Sequence, residues 1–335
     1  MWDWLIKTRR KNANNALILM YHRVAELRYD PWNLAVTPAC FRDQIKNLKT
    51  NHTIVCLSDL QQAMSDGTKN PIAITFDDGY ADNYQVAGPI LTEYSVPATF
   101  FICTGNIESG NFFWWDALQQ ILLEAPVLPS ELQLCIANET VTIDLTGEET
   151  LNIEQSENYA RWRYPQQPPG KRGIAYMEIW KMLKKNNPDE QLAVLERLKE
   201  WSGQPGVNLV EYRVLSKKEL KDLSVNPLFR IGAHTVNHPS LSQHSASLQI
   251  NEIRDSKKYL ENLISTKITD FAFPFGDYNK QTSNILRSEN FTTAVTTVNG
   301  LVKKDTDPLQ FGRYLVRNVS GNILIQEINK QLAEN

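Results

Sequence analysis

The chain has 335 residues, more than the ~250–300 at which a single hydrophobic core stops growing, so one domain with an insertion or two domains are expected. With 22% charged and 10% aromatic residues it can bury a real core, which excludes a wholly disordered protein. A net charge of −3 offers no basic surface for nucleic acid, and the longest wholly apolar run, residues 16–21, is far short of the ~20 residues of a membrane-spanning helix.

The N-terminus lacks the charged-then-apolar order of a signal peptide. A cytoplasmic location is therefore expected. Trp2 and Trp4 beside Arg9, Arg10 and Lys11 suit a bilayer surface, which adds a weak peripheral membrane contact to that expectation; a frayed or docked first helix is the plainer reading. Cys40, Cys56, Cys103 and Cys135 form no Cys-x-x-Cys pair, so a zinc ribbon or thioredoxin-type centre is not expected.

Short apolar runs then alternate with helical patterns. Residues 16–21 read as a buried strand, 38–48 as a helix capped by Thr37 with Pro38 at its first position, and the β-branched 53–57 as a strand. A short helix from Ser58 to about Gly67, a strand at 72–76, a helix at 81–94 interrupted by Gly88-Pro89, and a strand at 98–103 follow. From about 105 to 215 the rhythm breaks. Tyr176, Ile179, Trp180 and Leu183 mark one helical face, and Leu192, Leu195 and Leu198 another, so the region reads as a largely helical insertion. The alternation resumes with strands at 229–233, 271–273 and 292–296, helices at 245–264 and 279–290, and a last helix capped by Ser320 with Ile323, Ile325 and Ile328 on its face. About seven strands in β-then-α order imply an α/β fold, a parallel and closed or nearly closed barrel with helices outside. The expected division is 1–104 and 216–335 for the two parts of the barrel, and 105–215 for the insertion.

Polar residues follow the ends of several of these strands: His22, Asp77-Asp78, His234, and Pro274-Phe275-Gly276. In a β/α barrel the carboxyl ends of the strands carry the active site, so these clusters should converge. Two adjacent carboxylates at a strand end repel unless a cation or donor compensates. Neighbouring side chains of an extended chain point to opposite sides, so one can bind a metal while the other handles a proton. An Asp-Asp-Gly turn without chemistry is the competing reading. His234 and His238, in a His-x-x-x-His spacing, can reach one cation; with Asp78 they make a two-His-one-Asp set of the kind zinc accepts while leaving a position open.

Thr75-Phe-Asp-Asp-Gly79 together with His234-Thr-Val-Asn-His-Pro-Ser-Leu241 resembles the polysaccharide deacetylase family (the NodB-homology group, carbohydrate esterase family four). Phe271–Gly276 is similar to the family's third motif. The resemblance covers roughly 16–104 and 228–300. It implies a distorted (β/α)7-type barrel and removal of acetyl groups from N-acetylated, less often O-acetylated, sugars with one divalent metal. Zinc is the first expectation; nickel, cobalt and manganese stay open. By position Asp77 is the base, and Asp78, His234 and His238 are the metal ligands. The Tyr80 N–H is an oxyanion donor, and Pro274 and Phe275 line the groove. Trp115 and Asp116, at the start of the insertion, are expected to stack on and hydrogen-bond the sugar, with packing of the insertion onto the barrel as the plainer reading.

Three features depart from the family pattern. Many members begin the third motif with an Arg that orients the catalytic Asp; here Ala272 stands there, and Arg313 or Arg317 is the expected substitute. The family's late histidine, the general acid, is missing, and His22 is the expected replacement. Asp78 and His234 are 156 positions apart, longer than is usual, and the excess falls in the insertion. An amide-cleaving deacetylase of a surface-glycan precursor is thus expected, against an O-acetyl esterase or a sugar-binding relative without turnover.

Overall fold

The computed structural model describes residues 15–110, 112–136, 139–203 and 210–334. The N-terminal tryptophans and basic residues, and with them the expected membrane contact, lie outside these. Among the described residues no helix is long and apolar enough to cross a membrane. All four cysteines are free.

Seven parallel strands form the central sheet: β1 (Leu17–Tyr21), β2 (Ile72–Phe76), β3 (Ala98–Ile102), β6 (Phe229–Ala233), β7 (Asp270–Ala272), β8 (Thr293–Val295) and β9 (Tyr314–Leu315). β4 (Glu131–Ile136) and β5 (Glu139–Asp144) form a separate antiparallel hairpin. The order across the sheet is β8-β7-β6-β3-β2-β1-β9. β1, β2 and β3 are buried along their whole length, which is why they read as unbroken apolar runs rather than as alternation. The sheet curls into a half-barrel. One stretch of chain reaches both of its edges: Phe311 bridges Val295 of β8, and Tyr314 pairs with Leu19 of β1.

Successive side chains of each strand enter different cores. Leu17, Leu19, Tyr21, Ile74, Phe76, Phe100 and Ile102 pack outward against helices. Ala16, Ile18, Ala73, Phe101, Ala272, Val295 and Phe311 fill the inside of the curl. The outer layer includes α1 (Pro38–Asn51), capped by the Thr37 hydroxyl as expected. It continues with α7 (Ala246–Ile264), capped by Ser245, and α8 (Lys280–Ser288), closed by an Asn279–Thr282 capping box. α9 (Gly321–Glu334) packs on α1 through the buried side chains of Leu324 and Ile328, while Ile323, expected on that face, is exposed.

Three further readings need correction. Residues 53–57 are not a strand: only Ile54 bridges Ile72, because β3 occupies that edge of β2 from Thr75 onward. The helix expected over 81–94 does form, and its expected interruption at Gly88-Pro89 is a π-helical turn, Asn83–Ala87, leading into Gly88–Glu93, since Pro89 has no N–H to donate. The hairpin was not anticipated, although Leu132, Leu134 and Ile136 alternate with exposed residues as a half-buried strand should. Leu192 is exposed rather than on the buried face of its helix.

Between β3 and β6 the chain forms α2 (Trp114–Gln119), the hairpin, α3 (Ile153–Arg161), α4 (Lys171–Leu183), α5 (Pro188–Ser202) and α6 (Lys217–Ser224). Trp114, Leu118, Leu122, Leu132, Leu134, Tyr176, Ile179 and Leu198 form a second hydrophobic cluster there. Trp32 from the loop after β1, and Trp115 and Phe275 beside the strand ends, pack against it, so it leans on the carboxyl-end face of the sheet.

Candidate metal centre and catalytic carboxylate

β2 ends at Phe76, and its inward-facing series Ala73, Thr75 continues to Asp77. Asp77 therefore enters the polar mouth of the half-barrel, where Arg313, just before β9, meets it. Nη1 donates to Oδ1 at 2.7 Å and Nη2 to Oδ2 at 2.6 Å. The guanidinium also donates to the Thr296 carbonyl from Nε (2.8 Å) and to the Thr75 hydroxyl from Nη1 (3.1 Å). Arg313 is fully buried and Asp77 is 2% exposed. Burial alone would push the Asp77 pKa up; the Arg313 charge and its two hydrogen bonds overcome this and hold the carboxyl below the usual range. Of the two expected substitutes for the missing Arg, Arg313 makes the contact, and Arg317 is exposed.

Asp78 turns the other way on a left-handed backbone, φ 74°, with Gly79 at φ 81° beside it. Its Oδ1 lies 3.4 Å from Nε2 of both His234 and His238. The three ligand atoms lie within 4.8 Å of one another, and all three residues are buried. His234 leaves β6, and its Nδ1 lies 2.8 Å from the Ala272 carbonyl. A carbonyl can only accept, so Nδ1 carries a hydrogen and Nε2 is the nitrogen left to face Asp78, or a cation in its place. Burial, with the His234 charge, pushes the His238 imidazole down to about 3, so it is neutral at ordinary pH. Burial would raise Asp78, but its contacts with His234 first and with His238 hold it well below the usual range. Against its burial, Asp78 and Asp77 raise the His234 pKa, so in the metal-free chain His234 favours the protonated form; two imidazoles and one carboxylate fit a divalent cation that displaces this proton, and the cluster can hold one.

The backbone around this set is over-determined. Among the described residues nine non-glycine residues have positive φ, and four of them, Asp78, Thr235, His238 and Phe275, are at this site, where such conformations serve to aim side chains. The turn from His234 to His238 is held from two sides. The Glu252 carboxylate of α7 accepts from the Val236 N–H (2.9 Å), the Asn237 N–H (2.8 Å) and the Asn237 side-chain amide (2.7 Å). The Cys103 thiol and the Gly105 N–H donate to the Val236 carbonyl. Glu252 escaped the sequence reading, since a glutamate inside a helix carries no signal of a loop 15 positions away.

The remaining expected residues lie around the same face. His22 follows β1; its buried Nδ1 has no hydrogen-bond partner, and burial lowers its pKa against the opposing pull of Asp78 and Asp77. The Tyr80 N–H has no acceptor among the described residues. Its hydroxyl donates to Asp116 Oδ2 at 2.9 Å and accepts the Trp115 indole N–H at 2.9 Å. Trp115 and Phe275 set their rings against His238, with centroids 4.8 and 4.5 Å away. Pro274 is buried and Phe275 half-buried. Asp116 is 6% exposed, and burial pushes its carboxyl up to about 8. Instead of an open carboxylate for a sugar hydroxyl, it is a buried anchor for Tyr80.

A parallel half-barrel with a buried carboxylate–guanidinium pair beside an Asp-His-His cluster defines a β/α protein with a candidate metal and acid–base centre. The family model of polysaccharide deacetylases matches residues 65–133 and 174–294, more than half of the chain, and the chain belongs to that family. It is 31% identical over 129 residues to a poly-β-1,6-N-acetyl-D-glucosamine N-deacetylase of Staphylococcus aureus, across 34% of this chain and 44% of the relative. The Staphylococcus epidermidis protein of that name is 32% identical over 123 residues, 32% of this chain and 42% of the relative. The match thus spans less than half the length of these relatives. Among solved structures, the Streptococcus pyogenes deacetylase PplD in complex with acetate shares the fold, with TM-score 0.59, 22% identity and coverage of 94% of this chain and 99% of that one. So does IcaB from Ammonifex degensii, at TM-score 0.56, 15% identity, 94% and 97% coverage.

Proposed function

We propose that the chain is a metal-dependent deacetylase that hydrolyses the acetamide of an N-acetylated sugar residue in a surface glycan or its precursor. The observation that carries this reading is the placement of an Asp-His-His donor set next to an aspartate kept ionised by a buried arginine. Zinc suits the donors best, and nickel, cobalt or manganese would also bind. A cation held by Asp78, His234 and His238 supplies Lewis acidity to the acetyl carbonyl and to the attacking water. Asp77 takes the proton from that water as its oxygen adds to the acetyl carbon. The free Tyr80 N–H donates to the oxygen on which negative charge develops. His22, kept neutral by burial, relays to the departing nitrogen the proton that Asp77 has taken from the water, so that the proton balance of the step closes. Acetate and a free amine are the products. Phe275 and Trp115 form apolar walls beside the reacting group.

The named activity of the staphylococcal relatives, an N-deacetylase, supports the amide over the ester. The test is acetate release from N-acetylglucosamine oligomers by zinc-loaded protein, with Asp77→Asn as the control. The variant should keep one equivalent of zinc and lose about 10²–10⁴-fold in turnover, the usual worth of a general base. Equal turnover by the variant, or no acetate from the wild-type chain, would leave a sugar-binding relative as the better reading.

A further inference from the structure

Arg23 follows His22 directly and is 4% exposed, and the chemistry proposed above gives it no part. Its Nε donates to Asp82 Oδ2 at 2.6 Å, and its Nη2 donates to the Glu211 carbonyl. The flat face of the guanidinium covers the Tyr80 ring, with Cζ 4.0 Å from the ring centroid. One side chain thus joins the loop after β1, the segment that carries Tyr80 and Asp82, and the chain returning from the insertion. The loop is stitched to the same segment twice more. Asp82 Oδ1 accepts from the Val24 N–H at 3.1 Å, and the buried Asn83 amide donates to the His22 carbonyl at 2.8 Å.

These contacts bear on the direction of one N–H. The Gly79 carbonyl and the Tyr80 N–H belong to a single peptide plane and point opposite ways. The carbonyl accepts from the Leu215 N–H at 2.9 Å, and on the far side of Tyr80 the Ala81 N–H donates to the Arg213 carbonyl at 3.0 Å. The Tyr80 N–H therefore points away from the 213–215 segment, toward the mouth, and its aim follows wherever that segment sits. Arg23 holds the start of the segment at the Glu211 carbonyl and holds the Tyr80 ring under its own face. Desolvation offsets much of what a buried ion pair gains, so the Arg23–Asp82 pair is weak evidence for stability. A planar guanidinium, with donors in a fixed fork and a face that stacks on an aromatic ring, does restrict its partners to one arrangement.

We propose that Arg23 is a positioning residue of the deacetylation centre: through the Tyr80 ring and the 211–215 segment it aims the Tyr80 N–H at the oxygen that gains charge as water adds to the acetyl carbon, without touching the substrate itself. This rests on the proposed deacetylase reading. A donor aimed at developing charge stabilises the transition state more than the bound acetamide, so a small error in its direction costs turnover before it costs binding.

Arg23→Lys tests this, because it keeps the charge and gives up the fork and the flat face. Zinc-loaded wild type and variant are compared in acetate release from N-acetylglucosamine oligomers. In an Asp77→Asn background both are titrated with the same oligomer and with one whose acetamide is replaced by a tetrahedral methylphosphonamidate. In the variant kcat should fall about 10–100-fold, less than the ~10²–10³ of losing an oxyanion donor outright, with KM within about threefold and zinc affinity within about twofold. Affinity for the tetrahedral ligand should fall at least tenfold and that for the oligomer less than threefold. Asp82→Asn, which removes the anion that fixes the guanidinium, should move the same quantities in the same direction and serves if the lysine variant does not fold. Unchanged kcat overturns the proposal, as does an equal loss for the two ligands or a parallel loss of zinc affinity; Arg23 would then be a structural pair. A selective loss of the tetrahedral ligand in a chain that releases no acetate would uphold the positioning of the N–H and defeat the deacetylase reading.

Discussion

Replacing Arg313 with Met would remove the guanidinium that pairs with Asp77 through two hydrogen bonds and leave a carboxylate 2% exposed to solvent. Four hydrogen bonds disappear with the guanidinium, two of them to Asp77. Breaking a buried ion pair by deleting one partner costs about 3–5 kcal/mol, because the remaining charge is uncompensated. The cost depends on pH. In the native chain the Asp77 pKa is depressed below its unfolded value of about 3.9, so the pair's contribution is fully present above that pH and is lost as pH falls through the folded value. In the variant, burial acts with far less opposition and raises the pKa. The penalty then grows as pH rises from about 4 toward neutrality and nearly vanishes where the folded carboxyl keeps its proton. Urea unfolding of the metal-free protein at pH 7 and pH 4.5 measures this. The destabilisation should be about 3–5 kcal/mol at pH 7 and clearly smaller at pH 4.5. The Asp77→Asn, Arg313→Met double variant should be more stable at pH 7 than Arg313→Met alone, since it no longer buries a lone carboxylate. In the zinc-loaded variant the acid limb of kcat/KM should move to higher pH. A loss under ~1 kcal/mol at pH 7, or one independent of pH, would refute the reasoning, because the pair would then behave like an exposed one.

Other residues give sharper tests of individual contacts. Glu252→Ala should leave the fold intact and weaken zinc binding about 10–100-fold in competition with a chelator, because the three donors of the Val236–Asn237 turn lose their acceptor. Unchanged affinity would mean that Cys103 and Gly105 hold the turn by themselves. Asp116 is pushed up to about 8, so the folded chain holds a proton there that the unfolded chain releases near pH 4. This group should make the metal-free protein progressively less stable from pH 5 to pH 8.5, and Asp116→Asn should flatten that decline by ~2–5 kcal/mol as seen by denaturant unfolding. A decline of the same slope in both proteins would show that Asp116 is ionised throughout.

The parts of this molecule that were legible share one physical feature: each was set by residues close together in the chain. Buried parallel strands need apolar residues on both faces, so β1, β2 and β3 stand out as apolar runs. Asp77, Asp78 and His234 follow directly from strand ends, and a parallel sheet places all such ends on one side. What stayed illegible depends on encounters between distant segments. Glu252 supports the His234–His238 turn only because α7 crosses behind β6. Trp32 meets Trp180 and Tyr164 only because the loop after β1 lies under the insertion. The hairpin is a different case, since Leu132, Leu134 and Ile136 carried its period in plain view inside a region that read as helical.

Arg313 shows how the two kinds of information combine. With Ala272 in the position where an arginine often orients the catalytic aspartate, Asp77 would be a buried anion without a counter-charge, and two later arginines were the available remedies. Their spacing could not choose between them. The choice follows from the curl of the sheet. The segment from Phe311 to Leu315 touches β8 at one end and β1 at the other, so it crosses the mouth of the half-barrel. Arg313 lies in the middle of that crossing and is fully buried, whereas Arg317 lies past β9 and is exposed. Ala272, whose small side chain shares the interior with Phe101 and Phe311, leaves space on that side, and its carbonyl orients His234. The constraint is therefore on a place inside the curl and not on a position in the chain: Asp77 requires a guanidinium within reach, and either of two strands can deliver it.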